Sequence, residues 1–296
     1  MHFIELAHDT SNIGDDIQTL ASSQLLPAIN GYCYRDQLDT YDGPAAAIVL
    51  NGWFSHRPQA WPPSQRIIPI FVGFHVSAGT ATAYAQKRGY LQEHEPIGCR
   101  DQATTDLLRS WGVKAYTTYC ASLTLPRRLR APSFPKIAVV DAGDVYIPAT
   151  IRKTATVVTH KIPNVLPRET RMKCARELIE YYRDNVALLI TTRLHAALPC
   201  IGMGIPVVFI GDRADPRLSI LPEIGVPIYA PAPRGGLGRW AARVLDQVDW
   251  SPHAVDVSAW ADGLRNDVSA RIGALHNRTA EAGRVTFLQE TLPSPA

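Results

Sequence analysis

Short apolar runs alternate along the chain with longer stretches in which apolar residues recur every three or four positions. "FIEL", "AAAIVLNGW", "RIIPIFVGF" and a segment near "EPIGCR" are continuous enough for strands buried on both faces, and turn residues bound them. Between them "GDDIQTLASSQLLPAI" and "RDQATTDLLRSWG" carry helical spacing. The first opens with acids behind Asn12 and Gly14, the second behind Asp101, a plausible cap. "PRRLRAPSFP", Pro126 to Pro135, holds three prolines and three arginines without a period and reads as a linker. Beyond it the alternation restarts with "KIAVVDAG", "ATVVTHKIP", the helical "PRETRMKCARELIEYYRDN", then "VALLITT", "RLHAALPCIGMG" and "PVVFIGD". From Gly236 the pattern is helical.

This order predicts an α/β fold built on mainly parallel sheets with right-handed crossovers. Two halves are expected, residues 1–128 and 129–296, the second with a helical C-terminal segment. A cleft should lie between them. Ligands of open parallel sheets sit beyond the carboxyl ends of the strands, so functional residues are expected just after strands.

Composition narrows the function classes. Of the 296 residues, 46% are apolar and 19% charged, enough to bury a core in each half. A net charge of +3 argues against a dedicated nucleic-acid binder. No apolar run reaches the roughly 18 residues that span a bilayer, and the N-terminal segment lacks signal-peptide features. Five widely spaced cysteines without a CxxC pair suit reduced thiols, so a cytoplasmic location is expected.

Several residues pass the strand-end filter. In "ITTRLHAALPC", Arg193 and His195 stand at a strand-to-helix junction, where free N–H groups and a guanidinium favour an anion and a histidine can move a proton. The alternative is a salt bridge and a structural histidine. Arg100 in "EPIGCRD" occupies the analogous spot, with a structural Arg100–Asp101 pair as its alternative. Asn12, Asp15 and Asp16 fall in the loop and first helical turn after the first strand. They suit sugar hydroxyls, or equally the helix dipole. His75 and His160 follow strands. "PRGGLGRW", Pro233 to Trp240, has the glycines of a phosphate loop but reads more simply as a turn. No HxH, HExxH, CxxC, DxD or GxSxG pattern is present, which points to metal-free anion chemistry.

Taken together, "SNIGDDIQ", "GCRDQATTDLLRSWG", "YCASLTL", "ITTRLHAALPCIGMGIPVV" and "DPRLSILPEIGVP" resemble the polysaccharide pyruvyl transferases. The order holds from about Asn12 to Pro227, with "CASLTL" departing from the family's C-L-T-L-like strand end; the RLHA block is the most specific piece. The resemblance implies two Rossmann-like domains with a central cleft, similar to GT-B glycosyltransferases. It implies transfer of the enolpyruvyl group of phosphoenolpyruvate to a sugar of a polysaccharide or its lipid-linked precursor, forming a pyruvate ketal and releasing phosphate. No cofactor or metal is implied beyond this donor substrate. Donor binding falls to Arg100, Arg193, Leu194 and His195, with Arg193 and His195 catalytic and His195 the acid. The acceptor side falls to Asn12, Asp15, Asp16, His75 and His160.

The basic linker (Arg127, Arg128, Arg130) reads as a solvated connection, with peripheral contact at the inner face of a membrane as the alternative. Two competing functions remain. A nucleotide-sugar glycosyltransferase of the same fold is disfavoured because "SILPEIGVP" has one glutamate, Glu223, where many retaining members carry two. A catalytically silent scaffold is disfavoured by the intact charged residues of the RLH and CRD elements.

Overall fold

The computed structural model of the chain describes residues 1–231 and 247–291. Strands β1 (His2–Ala7), β2 (Gly31–Tyr34), β3 (Ala46–Trp53), β4 (Ile67–His75), β5 (Ile97–Cys99) and β6 (Ala115–Thr117) form one sheet in the order β2-β1-β3-β4-β5-β6. A second sheet, in the order β11-β10-β9-β7-β8, contains β7 (Lys136–Val140), β8 (Thr156–Val158), β9 (Val186–Thr191), β10 (Val207–Ile210) and β11 (Ile228–Tyr229). All of these pairings are parallel. The helices are α1 (Ile13–Ser23), α2 (Ala81–Ala85), α3 (Arg88–Glu93), α4 (Gln102–Ser110), α5 (Ala149–Thr154), α6 (Arg168–Asn185), α7 (Leu194–Gly202), α8 (Ile220–Glu223) and α9 (Ser258–Thr291). None of the helices searched among the described residues is long and apolar enough to cross a membrane.

The α/β class and the long apolar strands are as expected from the sequence. Strand β3 is buried along nearly its whole length because helices cover both faces of a central parallel strand. The expected first helix is shorter than its apolar pattern and stops at Ser23 rather than running on to Ile29. Strands β2, β6 and β11 span only 4, 3 and 2 residues, too few for a periodicity to register. The glycine-rich stretch Pro233–Trp240 lies outside the described residues.

In each sheet the strand order reverses beside the first strand. The chain runs β1 to β2 on one side and continues with β3 on the other; it runs β7 to β8 and continues with β9. Crevices at such reversals are where open α/β sheets take ligands.

Helix α1 joins the two sheets. Its Ile13, Ile17 and Ala21 share one buried cluster with Ala138 and Val140 of β7, Ala175 and Ile179 of α6, and Ala196 and Ala197 of α7. The loop ahead of α1 is stitched to the loop after β8: Ile13 N donates to His160 O at 2.9 Å and Ile162 N to Ser11 O at 3.1 Å. Asp16 faces α6 and accepts a bidentate pair from Arg171, Nε to Oδ1 at 3.2 Å and Nη2 to Oδ2 at 2.7 Å. Arg171 also donates to Thr10 O at 2.7 Å. Burial, with a smaller push from the Asp15 charge, holds the Asp16 carboxyl above the usual range, and the Arg171 guanidinium is the main group opposing it.

The C-terminal helix returns to the first sheet. Leu264, Val268 and Ile272, spaced one helical turn apart, cover Phe3, Ala47, Val49, Ile70 and Val72. Tyr116 OH donates to Asp267 Oδ2 at 2.6 Å and holds the helix on β6. The linker arginines are partly engaged with the protein itself. Arg128 donates to Val186 O at 2.6 Å and Arg127 pairs with Asp256 at 3.3 Å.

Asp16→Asn should cost about 3–5 kcal/mol in urea unfolding, because it leaves the Arg171 charge buried without a counter-ion. Replacing both partners together, Asp16→Leu with Arg171→Met, should recover much of that loss.

Candidate functional site

The two crevices open into one cavity of about 510 Å³. Its wall takes Ser11 and Asn12 from the loop after β1, Asp15 from α1, Trp53 from the end of β3, His56 from the loop after it, and Arg100 from just after β5. The second sheet gives His160, Thr192, Arg193, Leu194, His195, Asp212, Asp215 and Arg217. Of the residues expected from the sequence, Arg100, Arg193, Leu194, His195, Asn12, Asp15 and His160 therefore come together. Two do not line this wall. Both Asp16 oxygens belong to Arg171, and His75, 2% exposed, sits behind the wall.

The motif that begins at Arg193 has a physical cause for its shape. Arg193 is the N-cap of α7, extended at φ −101° and ψ 120°, and no side chain caps the helix. Pro199 then has no N–H for the carbonyl four residues back, which is that of His195. His195 accordingly leaves helical geometry, at φ −87° and ψ 15°. Gly14 lets α1 approach it: a Cβ on Gly14 would lie 2.9 Å from the His195 Cβ.

Each cavity arginine is oriented by its own carboxylate and keeps a terminal nitrogen uncommitted. Arg193 Nε donates to Asp141 Oδ2 at 2.8 Å. Asp141 also accepts from Thr159 Oγ1 at 2.7 Å and His160 N at 3.2 Å, in a left-handed turn with φ 49° that aspartate tolerates. Burial raises the Asp141 carboxyl, but these bonds and the guanidinium outweigh it and hold the pKa below the usual carboxylate range. Arg100 Nε donates to Asp101 Oδ2 at 3.3 Å, while its buried Nη2 has no partner. Both alternatives for Arg100 therefore apply, since the residue forms the Arg–Asp pair and lines the cavity. Arg217 is clasped by Asp215, Nη2 to Oδ2 at 2.6 Å. Three arginines and three aspartates (Asp15, Asp212, Asp215) line the cavity wall, with Asp101 and Asp141 behind it on Arg100 and Arg193.

His75 and His160 are buried and His195 is half-buried, and all three are held neutral. His75 Nδ1 must donate to Asp101 Oδ2, 2.7 Å away, because a carboxylate only accepts; Nε2 is then left without a partner. His160 Nε2 meets Tyr182 OH at 2.8 Å and its Nδ1 is unpaired. Burial lowers both to about 4, with Arg100 also acting on His75. Burial, followed by the Arg100 guanidinium, lowers His195 to about 3 against the opposing pull of Asp15. Asp15 itself is pushed up by burial, but His8, Arg35 and a 2.6 Å bond from Thr10 hold it below the usual range. Asn12 is committed to capping α1, accepting from Gly14 N at 3.2 Å. Among the described residues, no three His, Cys, Asp or Glu side chains form a group able to hold a metal ion.

Asp141, Arg217 and Trp53 were not singled out from the sequence. Asp141 and Arg217 follow strands, in "VVDAG" and "FIGDRADPR", and Trp53 ends one, in "LNGWF", so all three stand at strand ends.

A family model described as polysaccharide pyruvyl transferase matches residues 12–212. No curated protein matches the sequence. Among solved structures, a functionally uncharacterized protein from Klebsiella pneumoniae subsp. pneumoniae aligns with a TM-score of 0.49 at 14% identity, covering 75% of this chain and 88% of that one.

Histidines that stay neutral give a signed pH dependence. The unfolded chain takes up their protons as pH falls below about 6.5, whereas folded His8, His75 and His160 resist until about 4 and His195 until about 3. Their contribution is intact above about 6.5 and declines as pH falls toward 4. Unfolding free energy measured between pH 7 and 4 should drop, with proton uptake on unfolding approaching four from these residues.

Proposed function

The chain belongs to the polysaccharide pyruvyl transferase family, and from that premise we propose that its cavity binds phosphoenolpyruvate and transfers the pyruvyl group as a ketal. The observation that carries the reading is the convergence of Arg100 from one sheet with Arg193 and Arg217 from the other, beside the uncapped start of α7. A donor bearing both a phosphate and a carboxylate needs several planar, bidentate cations held apart, and guanidiniums supply them where ammonium groups do not. The Arg100 Nη2 is a buried donor that the protein itself leaves unsatisfied. We read the two sheets as the two Rossmann-like domains of a GT-B-like arrangement, with the boundary in the linker near residue 128.

In this reading the Arg100, Arg193 and Arg217 guanidiniums and the first-turn N–H groups of α7, including the backbone at Leu194, hold the donor. His195 is neutral when the cavity is empty. A bound anion offsets the Arg100 charge that helps depress the histidine and adds negative charge beside it, so the ring gains a proton as the donor enters. His195 then protonates the methylene carbon of the enol phosphate, and a sugar hydroxyl bonds to the neighbouring carbon. Phosphate leaves with its bonding pair. A second hydroxyl closes the ketal, and the two hydroxyl protons replace the one added to carbon and the one leaving with phosphate. General acid catalysis of this kind contributes about 10²–10⁴-fold, and positioning and electrostatics supply the rest. Asp141 acts as a positioning residue that fixes the Arg193 fork.

Phosphoenolpyruvate should raise the melting temperature where UDP, GDP and CMP do not, and phosphate should be released when acceptor sugars are added. Stabilisation by nucleotides alone would overturn the donor assignment. Arg193→Lys should weaken donor binding about 10- to 100-fold, since an ammonium cannot reproduce the fork. His195→Gln should retain donor binding and lose turnover. Calorimetric donor binding should take up a proton, visible as a heat that changes with the buffer, and this uptake should be absent in the same variant.

A further inference from the structure

The cavity has a second wall that the donor chemistry leaves unused. Strand β3 does not run straight to its end: its pairing with β4 slips between Leu50 and Gly52, and Gly52 adopts φ +144°. A slip of this kind bends a strand and re-aims the side chains beyond it. Here it presents Trp53, the last residue of β3, to the cavity at the strand reversal between β1 and β3. His56 joins it, with ring centroids 4.4 Å apart and planes at 60°. The buried Trp53 Nε1 has no hydrogen-bond partner.

We infer that Trp53, with His56 beside it, is the platform on which a pyranose ring of the acceptor lies. This deepens the pyruvyl-transfer reading and rests on it for the role of the sugar as acceptor. The C–H face of a pyranose is apolar and weakly positive, which complements the negative face of an indole. Two rings at 60° make a corner that fits a puckered ring, whereas a flat base calls for parallel faces. Asp15 and Asp212 line the same cavity and can accept hydroxyl hydrogens. Position agrees with the division of labour. Trp53 ends β3 and Arg100 follows β5, two strands along the sheet and so about 10 Å away, which keeps a sugar ring clear of the donor-holding arginines.

The test follows the indole N–H signals of the full-length chain in ¹H–¹⁵N spectra, where Trp53→Phe identifies the Trp53 signal by its loss. The probes are the methyl glycosides of glucose, galactose and mannose, followed by UMP. The Trp53 signal should move with at least one glycoside and not with UMP, and should still move in Arg193→Lys. Trp53→Ala should weaken that glycoside roughly 10-fold, the worth of one apolar sugar face, while its thermal stabilisation by phosphoenolpyruvate stays unchanged. A Trp53 signal that moves with no glycoside up to the solubility limit, or with UMP alone, overturns the platform and leaves the donor reading intact. A signal that moves with a glycoside in a protein that phosphoenolpyruvate fails to stabilise keeps the platform and removes the donor reading.

Discussion

The geometry of the cavity depends on one carboxylate that cannot be left alone. Asp16 is buried on α1, and its counter-charge is Arg171 on α6 of the second sheet. Helix α1 connects β1 to β2 in the first sheet, yet its opening turn is fixed to the second. The backbone bonds from Ile13 to His160 and from Ile162 to Ser11 hold the same junction. With α1 held there, Gly14 abuts His195, and the ends of β1 and β9 stand on opposite sides of one space. A charge pair of this type adds little net stability compared with apolar packing but is costly to break, so it specifies position more than strength.

The chemistry of the cavity is set by local backbone rules acting at strand ends. Pro199 removes the hydrogen bond that would make His195 helical, a left-handed turn aims Asp141 at Arg193, and the slip at Gly52 presents Trp53. The devices at Asp141 and Gly52 lie at or beside strand ends, and Pro199 acts from inside α7 on its first turn. Each alters the one or two residues that face the crevice and leaves the sheet behind it regular.

Much of this was legible in the sequence. Long buried strands such as β3 and β4 announce themselves by apolar runs, and α4 by its cap at Asp101, which accepts from Thr104 N at 2.8 Å. The junction at Arg193 was visible because two polar residues interrupt an apolar stretch where a crevice belongs. Asp16 was not separable from Asp15, since adjacent acids in a first helical turn look alike until the partner of each is known. His75 was ambiguous for a similar reason: it follows a strand, but the acid that draws it behind the wall is Asp101, twenty-six positions away. The return of α9 to the first sheet leaves no local trace either, because a helical stripe states that a face is buried and not against what.

The pairing of every cavity arginine with its own carboxylate has a kinetic consequence. Asp101, Asp141 and Asp215 each offset one guanidinium, so the field of each pair cancels over distances longer than the pair itself, and Asp15 and Asp212 add no positive charge to the space. An anion gains little from long-range steering and is recognised chiefly on contact, when it reaches the uncommitted guanidinium nitrogens. The same cancellation works on exit, because an inorganic anion left behind meets no large net positive potential to retain it. Such a cavity discriminates by shape at close range and exchanges its anions at rates that respond only weakly to ionic strength.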